Sequence, residues 1–165
     1  MNIELVPISH LDRMMLHKMF QFYLYDMSRV MKWPFSDKGD FEVDSSIVDA
    51  YFSEENHFPY FIKQNDMSVG FSLALARRYP DDKDLMDMGQ FYIATMYSGN
   101  GLGKYAFEKT LQKYPGNWQV RVLEGNTPAY AFWKSTISKL SSSTVNEILD
   151  VYYGKRMTYF HFESR

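Results

Sequence analysis

The sequence has no cysteine among its 165 residues. That excludes disulfides, thiolate metal sites and a cysteine nucleophile, and it suits a reducing cytoplasm. An excess of one charge is also missing: 18 Lys and Arg stand against 20 Asp and Glu, a net −2. No broad basic footprint for nucleic acid results. No stretch approaches the ~20 uninterrupted apolar residues of a membrane span. The first residues, MNIELVPISHLDRMM, carry neither a basic leader nor a continuous apolar segment, so a cytoplasmic protein with no membrane partner is expected. The four histidines, His10, His17, His57 and His161, are scattered without zinc spacing, and no metal is expected.

What the chain does have is apolar and aromatic substance. Hydrophobic residues make up 45% and aromatics 18%, enough for a single domain over residues 1–165 with a real core. A short strand is expected at Ile3 to Val6. After Ser9, a helix N-cap, Leu11, Met15, Met19, Tyr23 and Met27 recur every four residues and predict a long helix. WPFSDKGDFEVD reads as a loop, and a shorter helix follows at about Ser45 to Ser53. PYFIKQNDMSVGFSLALARR predicts a hairpin turning at Asn65-Asp66, with Val69, Phe71, Leu73 and Leu75 on one face.

YPDDKDLMD reads as a polar connection and MGQFYIATMY as the next strand. LGKYAFEKTLQKY is helical and is stopped by Pro115-Gly116. WQVRVLE is a strand, and NTPAYAFWKSTISKL a helix capped by Asn126 with Pro128 in its first turn. NEILDVYY and RMTYFHF form a last antiparallel pair around Gly154-Lys155. The predicted order is β-α-α-β-β-β-α-β-α-β-β in one mixed domain.

The nine glycines are unevenly spread. Three of them fall within YSGNGLGKYAF, at Gly99, Gly101 and Gly103, where a strand gives way to a helix. Such a turn offers unpaired amides to an anion. A nucleotide P-loop does not fit, because Ser98 stands where its first glycine belongs and Tyr105 replaces its Ser or Thr. A dinucleotide fingerprint does not fit either, since the spacing is G-x-G-x-G and nearly a hundred residues precede it. A tight turn without a ligand stays open at this point.

A third pattern, [QR]-x-x-G-x-[GA], matches Ser98 to Gly103 at both small positions and departs from it at Ser98. Downstream, Asn126, Ala129, Phe132 and Trp133 match N-x-x-A-x-x-[FL]-[YFW], and Ile93 stands five residues before Ser98. On these residues the chain resembles the GNAT superfamily of N-acetyltransferases over essentially its whole length, most closely from about residue 86 to 137. FYLYDMS and PGNWQVRVLEGNTPAYAFWK also give it the look of one bacterial subgroup.

The resemblance implies an α+β fold, a mixed and mostly antiparallel central sheet with flanking helices, and acetyl-CoA as cofactor. It implies that the amides of Ser98, Gly99, Asn100, Gly101, Leu102, Gly103 and Lys104 cradle a pyrophosphate. Ile93, Ala94 and Thr95 are then expected to pair with pantetheine as an added strand would, with a backbone N–H at Ile93 or Ala94 facing the thioester carbonyl. Asn126, Ala129, Phe132 and Trp133 complete the cofactor wall. Asp87, six residues before Ile93, is the expected base and is placed on the same strand face as Ile93, with Asp81, Asp82 and Asp84 as loop alternatives. The family's acidic tyrosine is replaced by Trp133, which leaves Tyr97, Tyr130 or water. Tyr23, Tyr25, Asp26, Trp33 and Gln90 are candidate acceptor contacts.

The implied reaction is acetyl transfer to a primary amine of a small molecule or an exposed protein amino group. An acyl-CoA-binding module with little catalysis is the alternative. The C-terminal strand pair is a candidate homodimer edge.

Overall fold

Ser9 and Asp12 close the entrance to the first helix. The Ser9 hydroxyl donates to the Asp12 carboxylate at 2.7 Å and its N–H reaches the same oxygen at 3.3 Å. Behind them a single 3-10 turn leads into α1 (Arg13–Met31). α2 (Ser45–Ser53) starts at Asp44, whose carboxylate accepts from the Ser46 N–H at 2.9 Å. The computed structural model describes residues 2–78 and 84–165. Asp81 and Asp82 lie outside the described residues, and Asp84 opens a strand rather than a loop.

The strands are β1 (Ile3–Pro7), β2 (His57–Gln64), β3 (Met67–Arg78), β4 (Asp84–Ile93), β5 (Asn117–Leu123), β6 (Asn146–Tyr152) and β7 (Lys155–Glu163). They form one sheet in the order β1-β2-β3-β4-β5-β7-β6. Every neighbouring pair is antiparallel except β4 and β5, which are parallel. The β2–β3 hairpin turns at Asn65 and Asp66 with φ of 48° and 67°, the left-handed pair that a two-residue turn requires. The expected fold class is therefore observed.

Helices cover both faces of the sheet. Leu16, Phe20 and Leu24 of α1 pack with Val48 and Tyr51 of α2 on Phe61, Phe71, Leu73 and Tyr92. On the other face lie α3 (Leu102–Lys113) and α4 (Thr127–Leu140). Phe107, Leu111, Trp133 and Ile137 meet Met88, Trp118, Val120 and Phe160 there.

Two bulges change which side chains share a face. The β2–β3 register slips between Ile62 and Lys63, which leaves Val69 as the extra residue. Val69 therefore packs with Ile3, Ile62, Leu102 and Ala106 under α3, not with Phe71 and Leu73 as the alternation predicted. The β3–β4 register slips between Leu73 and Ala74, and Gly89 is the extra residue. One inserted residue inverts the alternation beyond it. Asp87, opposite Leu75, consequently faces the α1–α2 side, whereas Ile93 packs under α3. The expectation that Asp87 and Ile93 share a face is corrected by this bulge.

Candidate functional site

The centre of the sheet comes apart just past Gly89. β4 and β5 are in register at only Met86 with Trp118, Asp87 with Gln119 and Met88 with Val120. Gly89 to Ile93 and Arg121 to Leu123 then run on with their facing edges unpaired among the described residues. A groove of about 620 Å³ occupies the gap. Its floor is made by Met88 to Phe91 and Val120 to Leu123, and its walls by α1, α2, α4 and the β6–β7 turn.

The N–H of Ala94 bonds back to the Val69 carbonyl at 2.9 Å. Ala94 is therefore occupied by β3 and cannot face the groove. Antiparallel alternation turns the main-chain groups of Ile93 and Phe91 the other way, towards the parted edge. Of the two residues expected to meet a carbonyl, Ile93 is the one so directed.

At the end of β4 a 3-10 turn, Thr95–Tyr97, leads into the glycine stretch. Gly99 and Gly101 have φ of +83° and +78°, with nothing within 4 Å of where a side chain would begin. The conformation demands glycine there, and the space above is open. Gly103 is needed for a different reason: a β-carbon on it would come 3.2 Å from the Phe132 ring of α4. The Ser98 N–H and hydroxyl both turn back onto the Thr95 carbonyl, at 3.1 and 2.7 Å, so Ser98 is spent within the turn. From Gly99 to Lys104 the backbone N–H groups find no acceptor among the described residues. Those donors and the α3 N-terminus form a preorganised anion cradle.

Other expected positions divide clearly. Tyr23, Gln90, Asn126, Ala129 and Trp133 stand on the groove wall. Asn126 also caps α4, accepting from the Ala129 N–H at 3.3 Å. Phe132 stacks with Phe91 beside them. Trp133 does double service, since its ring also meets Phe91, Phe107 and Phe132 in the core. Tyr97 packs instead against the Ile3 and Leu102 cluster. Tyr130 points to the outer strand, where its hydroxyl donates to Glu147 at 2.5 Å and accepts from Lys134 at 2.9 Å. Trp33 belongs to a separate surface hollow with Phe35 and Phe41, and Tyr25 leans on Phe41 outside the groove. Asp26 lies near Tyr92, and burial raises its carboxyl above the ordinary value against the pull of Arg29.

Asp87 is fully buried and paired with Arg77 and with Arg121, the latter at 3.0 Å. Gln119 donates to the same carboxylate oxygen at 3.2 Å and is itself joined to the His161 ring at 2.7 Å. The second oxygen, Oδ1, has no hydrogen-bond partner among the described residues. Arg121 reaches the groove wall, and its guanidinium carbon lies 4.1 Å from the ring centre of Tyr152. Both Arg121 and Tyr152 escape a reading of the sequence alone. The first is one polar residue in an ordinary alternating strand, and the second reaches the groove only because β7 lies between β5 and β6.

The groove tyrosines differ in their acidity. Burial pushes the Tyr23 phenol up to about 12, against a small opposing pull from Arg121. Burial also acts to raise Tyr152, but the positive charges of Arg121 and Arg77 outweigh it and hold that phenol below the ordinary value.

The sequence matches no family model, and no curated protein matches it. Solved structures do. An acetyltransferase from Thermus thermophilus is 18% identical with a TM-score of 0.66, over 99% of this chain and 97% of that one. The aminoglycoside acetyltransferase AAC(6')-Ib in complex with coenzyme A is 14% identical with a TM-score of 0.67, over 98% and 95%. Arabidopsis thaliana NAA60 in complex with acetyl-CoA is 16% identical with a TM-score of 0.61, over 98% of each chain. The class so defined is an open mixed sheet whose central strands part beside a glycine turn. It is the fold of these acetyltransferase structures, and the mixed, mostly antiparallel sheet with flanking helices is the one that the sequence resemblance implied. Among the described residues no helix is long and apolar enough to cross a membrane.

Proposed function

We propose that the protein is an acetyl-CoA-dependent N-acetyltransferase, whose acceptor is the primary amine of a small molecule or an exposed amino group of a protein or peptide. Direct attack takes place with both substrates bound. The observation that carries this reading is the parting of β4 from β5 after three paired positions, beside a run of unsatisfied N–H groups. A forked sheet edge suits a long chain with amides, and the adjoining cradle suits its diphosphate. The acetyl-CoA and the coenzyme A bound by two similarly folded neighbours agree with that fit.

The N–H groups of Gly99 to Lys104 would hold the diphosphate. The parted edge at Phe91 and Ile93 would pair with the pantetheine arm, with Ala129, Asn126 and Trp133 as its wall. When bound, acetyl-CoA supplies the acetyl thioester. The Ile93 N–H is directed to polarise a carbonyl in the groove, while Tyr23 and Gln90 face the acceptor half. Calorimetry with acetyl-CoA and desulfo-CoA, followed by a thiol-release assay over an amine panel, tests the proposal. Absence of cofactor binding would refute it.

One observation favours a second reading, an acyl-CoA-binding module with little catalysis: Asp87, at the expected base position, is locked between two arginines. Tight cofactor binding without thiol release for every amine would select that reading. The outer strand β6 leaves Ile148, Leu149 and Val151 exposed, an edge suited to pairing with a second copy. Analytical ultracentrifugation decides whether it does.

A further inference from the structure

Three strands bring two arginines to a single carboxylate. Arg77 of β3 and Arg121 of β5 both pair with Asp87 of β4, which leaves one positive charge in excess. Asp87 is fully buried and the Arg121 side chain is only 10% exposed. The Arg121 Nε is buried and has no hydrogen-bond partner among the described residues. An unbalanced guanidinium at such a depth is costly, so a second anion is electrostatically favoured beside it.

Tyr152 is the group in a position to supply that charge. Its ring lies under the Arg121 guanidinium, whose carbon is 4.1 Å from the ring centre, and the charges of Arg121 and Arg77 pull its phenol below the ordinary value. It also forms part of the groove wall. The remaining titratable neighbours are otherwise engaged. Tyr51 of α2 donates to the Leu73 carbonyl at 3.1 Å. His161 of β7 is tied to Gln119, and burial favours its neutral form. Tyr23 of α1 keeps its proton, and Asp44 on the groove wall is bound to the Ser46 N–H. Lys155, opposite Tyr152 on β7, adds positive charge to the same end of the sheet.

We propose that Tyr152 is the catalytic residue that receives the proton of the acceptor amine, with Arg121 holding its phenolate and Asp87 acting as a positioning residue behind Arg121. This rests on the acetyl-transfer reading above. In the step, an N–H bond of the acceptor ammonium breaks and an O–H bond forms on Tyr152. The nitrogen keeps the electron pair and becomes a neutral nucleophile. Ammonium and phenolate become amine and phenol, so no net charge is created inside the groove. The phenol returns its proton to solvent through the groove mouth before the next turnover.

The test uses the full chain and Tyr152→Phe. In an alkaline titration followed by tyrosinate absorbance, one phenol of the wild type should ionise ahead of the others, below the ordinary value of about 10. That early step should be missing from Tyr152→Phe. With the fastest amine of the panel, kcat should fall by about 10²-fold or more, with the KM for acetyl-CoA unchanged. Asp87→Asn removes the anion that offsets the arginines, so the acid limb of its kcat/KM profile should move to lower pH. If Asp87 were itself the base, that limb would vanish instead. An early tyrosinate step that persists in Tyr152→Phe, or wild-type turnover in that variant, overturns the proposal. Failure of the wild type to bind coenzyme A strikes the acetyl-transfer reading, whereas the tyrosinate titration still reports on Tyr152 alone.

Discussion

The hydroxyl of Tyr51 fills the space that a side chain at Gly89 would need. A β-carbon at Gly89 would overlap that hydroxyl and come 3.1 Å from the Leu73 carbonyl oxygen. The two facts have one origin. The bulge that makes Gly89 the extra residue falls beside Leu73, and Tyr51 donates to that carbonyl at 3.1 Å from α2. Gly89 lets α2 reach the sheet at the point where the central strands begin to part. Gly89→Ala is expected to lower stability by about 1–3 kcal/mol, as overpacking does. Tyr51→Phe alone should cost about 1 kcal/mol through the unpaired carbonyl. Combined, they should cost less than their sum, because the phenylalanine vacates the contested space. Urea unfolding of the four proteins measures this coupling. Strict additivity would show that the hydroxyl and the β-carbon do not compete.

The open cradle at Gly101 gives a separate expectation. Its φ of +78° makes any larger residue strained, by about 1–2 kcal/mol, but the space above it is empty of protein. Gly101→Trp should therefore remain folded and lose the calorimetric signal for acetyl-CoA. Gly39, at φ +80° and equally open, serves as the control for strain. Gly39→Ala should carry a similar stability cost and bind the cofactor normally. Undiminished affinity in a folded Gly101→Trp protein would remove the glycine turn from the site.

Local chemistry is legible in this sequence and long-range chemistry is not. The Asn65-Asp66 turn, the Asn126 cap and the glycine turn are each written in a few adjacent residues, and each is found as expected. The bulges at Val69 and Gly89 are not written that way. Each is a register slip between two strands, invisible to either strand alone, yet it moves Val69 and Ile93 to the opposite face from the expected one. The first helix shows a different limit. Leu11, Met15 and Met19 recur at helical spacing, but the buried stripe is Leu16, Phe20 and Leu24, and Leu11 is 95% exposed. Apolar residues populate two adjoining faces of that helix, so periodicity fixes the helix without fixing its phase. Tyr152 depended on strand order, which no local pattern records.

Alkaline stability follows from the buried phenols. The folded state holds the Tyr23 phenol protonated to about 12, while an unfolded tyrosine ionises near 10. Burial raises the Tyr51 and Tyr114 phenols as well. For a group whose folded value is raised, the stabilisation is complete below the unfolded value and is lost as pH rises towards the folded one. Stability is thus expected to be independent of these groups below pH about 10 and to fall between about 10 and 12, by about 1.4 kcal/mol per pH unit for a buried phenol such as Tyr23 and by less for the more exposed Tyr114. Tyr23→Phe keeps the ring that meets Phe71 and Tyr92 and should make the fall shallower. Urea midpoints measured across this pH range provide the check, and an unchanged slope would refute the assignment to Tyr23.

Tyr130 stands on the same helix as Trp133, where an acidic tyrosine was expected, and its geometry argues for a different task. Its hydroxyl bridges Glu147 and Lys134, which also pair with each other at 3.2 Å. The hydrogen bond from Tyr130 is the main reason that the Glu147 carboxyl lies below its ordinary value. Tyr130 therefore pins the outer strand to α4 without lining the groove, and Tyr97 packs under α3 in the same structural sense. Tyr130→Phe should raise the Glu147 value towards that of a free carboxyl, read by NMR titration, and leave thiol release unaltered. Tyr97→Phe should likewise leave it unaltered. Should either variant lose turnover by about a hundredfold, as removal of a general acid does, the proton would leave from outside the groove and the site drawn between β4 and β5 would have the wrong boundary.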